Sequence, residues 1–166
     1  GKVIRQGDML KFTGMTEELN KYAGEAKDGN IIAWTGSMFS GMPSYNIAVK
    51  GVAPDYLSYL ETAVKSIDFN GASMVLTGLI CFYILMCVLE IPLWLAIAGA
   101  IAFAFASYNF IIIEAGHITK AYVIAYMPLT IAGMLLLFRS RFLWGAVLFT
   151  LGVALSIING HLQITY

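Results

Sequence analysis

The chain has 166 residues, 59% of them hydrophobic and only 12% charged, against about 25% charged in an ordinary soluble domain. With mean hydropathy at +0.77, that composition speaks against a free-standing soluble enzyme. Ten basic and ten acidic side chains cancel, so no charge excess points to a nucleic-acid partner.

The charges are unevenly spread. Residues 1–70 hold fifteen of the twenty, and the rest of the chain carries only Glu90, Glu114, Lys120, Arg139 and Arg141. The sequence therefore divides into a polar region, 1–70, and a membrane-embedded region, 71–166. It begins with Gly and ends on "HLQITY" just after an apolar run, as expected of a piece of a larger polytopic chain.

Within 1–70, "TEELNKYAGEAK" predicts a helix with Thr16 as N-cap and two glutamates in its first turn. "PDYLSYLETAVKSI" predicts another, with Tyr56, Leu57, Leu60, Val64 and Ile67 as an apolar stripe suited to the headgroup layer. Between them "WTGSMFSGMPSYNI" (34–47) reads as loop, with two glycines and a proline. Its large apolar groups, Trp34, Met38, Phe39, Met42 and Tyr45, predict packing on the helices or burial in the membrane interface. Lining a lipid or acceptor is the competing role, with Trp34 and Tyr45 as its candidates.

Four apolar runs follow, at 73–89, 91–113, 121–138 and 142–158. Each is close to the roughly 17–25 residues that cross a bilayer. They lack the alternation of barrel strands, so helices are expected, and the fold class is an all-α membrane protein with about four transmembrane helices. "EIP" (90–92) predicts a tight turn with Pro92 near the first helical position, and Pro128 predicts a kink in the third span. Cys81 and Cys87, six residues apart in one run, face different ways and read as small buried hydrophobes. Tyr108 and Asn109 interrupt the second span near one end.

Arg139 and Arg141 flank the shortest polar break, which the positive-inside rule places in the cytoplasm. Glu90 is then cytoplasmic as well. Region 1–70, "EAGHITK" (114–120) and "NGHLQITY" (159–166) then face outward. Asp8, Glu114, His117, Lys120, Asn159, His161 and Gln163 thus share one side. The i,i+3 pair Glu114 and His117 lacks the second copy and the extra glutamates of a di-iron bundle, so iron is not expected. Glu114 and Lys120 have a plainer reading as helix caps or interfacial charges.

"QGDMLKFTGM" (6–15), "WTGSMFSGMPSYNI" (34–47), "EAGHITKAYVIAYMPLTIAGMLLLFR" (114–139) and "NGHLQITY" (159–166) together resemble the YfhO-like membrane proteins of Bacteroidetes. Those look like members of the GT-C superfamily of polytopic glycosyltransferases. The resemblance implies a multi-pass protein of the bacterial inner membrane, with 1–70 as its first outer loop. It implies transfer of a sugar from a polyprenyl-phosphate carrier to a glycan, polymer or protein acceptor. Asp8 matches the acidic position that acts as general base or metal ligand, with Mg or Mn as the cation where one is used. Here the acid stands alone, followed by Met9, where many such enzymes carry a pair. The chemistry also needs donors for the departing phosphate. His117 and Lys120 are the candidates, with Glu114, Asn159, His161 and Gln163 as further binding groups. A non-catalytic transporter or scaffold that binds lipid-linked glycans is the alternative. An ion channel fits less well, because the span interiors lack charge.

Overall fold

A computed structural model describes residues 72–159 continuously, together with 17, 21, 34–36, 41–43, 59, 62 and 63. The chain forms two units, Arg5–Val52 and Gly1–Ile4 with Ala53–Tyr166.

In the first unit, Glu17 and Lys21 are helical and exposed, one turn apart, as the "TEELNKYAGEAK" helix requires. The expected loop at 34–47 contains a short antiparallel ladder. Strand β1 (Trp34–Thr35) pairs with β2 (Met42–Pro43), setting Trp34 opposite Pro43 and Thr35 opposite Met42. Gly41 precedes β2 with φ of 111°, and a Cβ there would run into Nε1 of the Trp34 indole and lie 2.9 Å from its Cε2. Glycine is therefore required twice over, by conformation and by space.

The described residues of the second unit form helices joined by short turns. Tyr59, Thr62 and Ala63 are helical and exposed, which fits the outer face of the "PDYLSYLETAVKSI" helix; its apolar stripe lies outside the described residues. Five helices follow: α1 (Ala72–Val88), α2 (Leu93–Ala104), α3 (Ser107–Ala115), α4 (Ile118–Phe138) and α5 (Phe142–Ile158). Two stretches, Leu93–Ala115 and Ile118–Phe138, are long and apolar enough to cross a membrane, whereas α1 and α5 are apolar but have 17 residues each.

Helix α4 is the centre. Helices α5 and α1 pack against it, α2 packs on α1, and α3 touches α4. The ends are fixed by two long-range contacts. Ser73 and Tyr122 hydrogen-bond at 2.7 Å, bringing together the starts of α1 and α4. Arg139 donates to the carbonyl of Val88 and pairs with Glu90 at 3.2 Å, bringing together their C-terminal ends. The helices therefore run up and down, with α1 and α4 parallel.

The α4–α5 seam depends on close approach. A Cβ at Gly133 would fall 2.6 Å from the Cα of Phe149, and one at Gly152 would fall 2.9 Å from the backbone nitrogen of Thr130. In hydrocarbon the hydrophobic effect gives adjoining helices no preference for each other over lipid. Small residues that let backbones meet then supply the van der Waals attraction.

Three tight turns share one hydrogen-bond pattern. After α1, Glu90 and Ile91 donate to Cys87 and Met86; after α3, Gly116 and His117 donate to Ile113 and Ile112; after α4, Ser140 and Arg141 donate to Leu137 and Leu136. Each is a Schellman closure, which needs a left-handed residue. Gly116 supplies it freely at φ 88°, while Glu90 and Ser140 adopt φ of 61° and 59° as non-glycine residues.

Some expectations change and others hold. The second span is two helices, broken at Phe105–Ala106, where a single helix over 91–113 was expected. Pro92 falls where expected: it is the N-cap of α2, directly before the first helical residue, and its carbonyl accepts from Ala96. Pro128 lies inside α4, in the middle of the run as expected, and helix continues on both sides of it. Cys81 is buried as expected, but Cys87 is exposed, because six residues on a helix place the two on different faces.

Candidate functional site

The topology gathers polar residues at one end of the second unit: the start of α1, the α3–α4 corner and the end of α5. The opposite end carries Glu90, Arg139 and Arg141, with Trp94, Phe138, Phe142 and Trp144 exposed around them. Aromatic side chains in that position match the belt found where a membrane meets water.

The corner is tighter than the sequence indicates. Only Gly116 and His117 separate the helices, so Glu114 belongs to the last turn of α3 and Lys120 to the first turn of α4. The backbone of His117 is held on both sides: its N–H donates to Ile112 and its carbonyl accepts from Ala121 at 3.0 Å. That fixes the root of an exposed imidazole.

Helix electrostatics removes the plain capping role for the two charged neighbours. A helix end favours cations at its C-terminus and anions at its N-terminus. Glu114 and Lys120 are each placed the unfavourable way round. Lys120 instead lies with Nζ 5.6 Å from the centroid of the Tyr108 ring, across the corner on α3. That distance is within reach of cation–π attraction.

Asn159 caps α5 and is buried. Its Nδ2 donates to the carbonyl of Leu155 at 2.8 Å, and its Oδ1 is a buried acceptor with no hydrogen-bond partner among the described residues. An unmatched buried amide oxygen costs about 1–3 kcal/mol, so it marks a place where a donor belongs.

Beneath these groups lies a buried polar layer that sequence reasoning missed. Ser73 and Tyr122 are paired, Thr77 donates to the carbonyl of Ser73 at 2.7 Å, and Tyr126 stacks beside Tyr122 with ring centroids 6.2 Å apart. Ser156 on α5 donates to Gly152. The signal was present as two i,i+4 pairs, Ser73 with Thr77 and Tyr122 with Tyr126, at the same end of two apolar runs.

The break in the second span is satisfied from within. Asn109 Nδ2 donates to the carbonyls of Phe103 and Ala104 at 2.8 and 3.3 Å, two of the acceptors that the interruption frees. Asn109 therefore serves its own backbone, while Tyr108 is exposed. A cavity of about 10 Å³ adjoins Asn109, Phe103 and Gly78, room for one water-sized group and far too small for a sugar.

Of the residues proposed from the sequence, the structure brings Glu114, His117, Lys120 and Asn159 to one end. Trp34 lies in β1 of the other unit and is exposed. Asp8, Tyr45, His161 and Gln163 lie outside the described residues. Among the described residues no group of three His, Cys, Asp or Glu side chains is placed to hold a metal ion. Comparison of the chain with protein-family models, curated proteins and solved structures returns no match.

Proposed function

We propose that this chain belongs to a multi-pass membrane glycosyltransferase of the GT-C kind, similar to the YfhO-like proteins. In this reading α1, the broken helix α2–α3, α4 and α5 are four spans of a bacterial inner membrane. Region 1–70 and the His117 corner face the periplasm. The reaction moves a sugar from a polyprenyl-phosphate donor to a glycan, polymer or protein of the cell envelope.

Asp8 takes the acceptor proton or holds a divalent cation such as Mg or Mn. His117 and Lys120 face the carrier phosphate, whose charge grows as the glycosidic bond breaks. Glu114, Asn159, His161 and Gln163 are further groups for sugar and carrier, and Trp34 and Tyr45, in the other unit, are the candidates for lining lipid or acceptor.

One observation carries the reading: four polar residues picked out by the sequence meet at a single end of an apolar helical unit. Buried hydroxyls lie under them, and the arginines and exposed tryptophans lie at the other end. Polar groups in a membrane helix bundle are expensive, and such a gathering marks a site. The sequence motifs supply the chemistry assigned to it.

The test is transfer of labelled sugar from a polyprenyl-phosphate donor by the purified intact protein and its Asp8→Asn variant. Loss of a general base typically lowers the rate by about 100-fold or more, with carrier binding retained. Transfer at the wild-type rate by Asp8→Asn overturns the catalytic assignment. Carrier binding without transfer by the wild type points instead to a scaffold or transporter for lipid-linked glycans.

A further inference from the structure

The ammonium of Lys120 occupies an unusual position. Its helix end disfavours a cation, and among the described residues no carboxylate is paired with it. What holds it is the Tyr108 ring, from the other side of the corner. An aromatic face attracts a cation without neutralising it, so the ammonium keeps its full charge and its remaining donors for another partner.

The position of that ring is itself fixed. Tyr108 is the second residue of α3, and the residue beside it, Asn109, ties the start of α3 to the end of α2 through two carbonyls. An uninterrupted helix through 93–115 would carry Tyr108 on a different rotation and tilt. The break thus has a consequence for Lys120.

We infer that Tyr108 is a positioning residue, which holds the Lys120 ammonium at the membrane boundary for a phosphate group carried by a lipid. This rests on the function proposed above, which sets Lys120 at the carrier phosphate, and deepens it by naming Tyr108 as the residue that presents the lysine. The site pairs one oriented cation with an apolar helix face, where exposed Ile111 lies one turn from Tyr108 on α3. That combination favours a phosphate with a hydrocarbon tail over free phosphate.

The intact protein in neutral phosphatidylcholine nanodiscs tests this by quantitative native mass spectrometry, with polyprenyl phosphate and inorganic phosphate as the two probes. Wild type is expected to retain polyprenyl phosphate and not inorganic phosphate. Lys120→Gln should weaken retention by about tenfold, as loss of a charge-assisted contact does. Tyr108→Leu should weaken it about fivefold, and Tyr108→Phe, which keeps the aromatic face, should stay within about twofold of wild type. Tyr108 is exposed, so both replacements leave the helix packing intact.

Wild-type retention by Tyr108→Leu, with Lys120→Gln impaired, overturns the positioning role and leaves the proposed function standing. Unchanged retention by Lys120→Gln overturns the phosphate contact. Equal loss in the Phe and Leu variants also overturns the inference, since it would assign the effect to the hydroxyl. Preference for inorganic phosphate contradicts the lipid source. No retention of either probe by wild type removes the function proposed above along with the inference.

Discussion

Two residues hold a conformation that their side chains disfavour. Glu90 and Ser140 close Schellman turns at positive φ, where a Cβ crowds the following carbonyl at a cost of about 1–2 kcal/mol. Glu90 recovers part of this through its pair with Arg139. Because both partners are substantially exposed, that pair contributes at most a few tenths of a kcal/mol. Ser140 has no such compensation among the described residues. Ser140→Gly is therefore predicted to raise stability by about 0.5–1 kcal/mol, read as a higher denaturation midpoint in detergent. Tyr122 presents the opposite case, since it is almost fully buried with its hydroxyl on Ser73. Tyr122→Phe leaves the Ser73 hydroxyl without that partner in an apolar setting and should lower stability by about 1–2 kcal/mol. The double variant Tyr122→Phe with Ser73→Ala should recover part of the loss, and full additivity would show that the pair is not coupled.

At the scale of helices, the apolar runs were legible because their length and uniform hydropathy leave a chain in lipid few options. The last apolar helix is read correctly at both ends, at 142–158, because Arg141 and Asn159 bound it with unmistakable polarity. The break at Phe105–Ala106 was only half legible: Tyr108 and Asn109 stood out as an interruption, but no glycine or proline marks the break itself. It shows only through Asn109, whose amide makes the interruption affordable. The corner at Gly116–His117 was overestimated for a related reason. Hydropathy counts Glu114 and Lys120 as loop, whereas helices readily carry a charge in a terminal turn. The site itself was partly legible: polarity at three separated corners located its end of the molecule, but pairings such as Lys120 with Tyr108 require the fold. Asn109→Ala should loosen the junction, increasing hydrogen exchange at α3 amides while leaving α5 unchanged. The glycine seam gives a sharper prediction. Gly133→Leu places atoms where the Phe149 backbone lies, so α4 and α5 must separate. A loss of about 1–3 kcal/mol or more is expected, measured by thermal unfolding, while Val147→Leu on the exposed face of α5 should be neutral.

The whole helical unit is polarised along its length. One end collects His117, Glu114, Lys120 and Asn159 above a layer of buried hydroxyls. The other presents Arg139 and Arg141 among exposed aromatic rings. Between them the surface is apolar, with large side chains such as Ile97, Ile101 and Ile131 exposed, as expected of groups facing hydrocarbon rather than water. In the proposed function this polarity is the frame, since it sets the end at which the helical unit takes the donor phosphate, the periplasmic boundary. The most direct measurement is therefore sidedness. In the intact protein with Cys81→Ala and Cys87→Ser, single cysteines introduced as His117→Cys and Ser140→Cys can be challenged in whole cells with a membrane-impermeant maleimide. The periplasm-facing corner predicts labelling at position 117 in intact cells and at position 140 only after permeabilisation. Labelling at 140 in intact cells, with 117 protected until the membrane is opened, would contradict the orientation and the outer-face site with it.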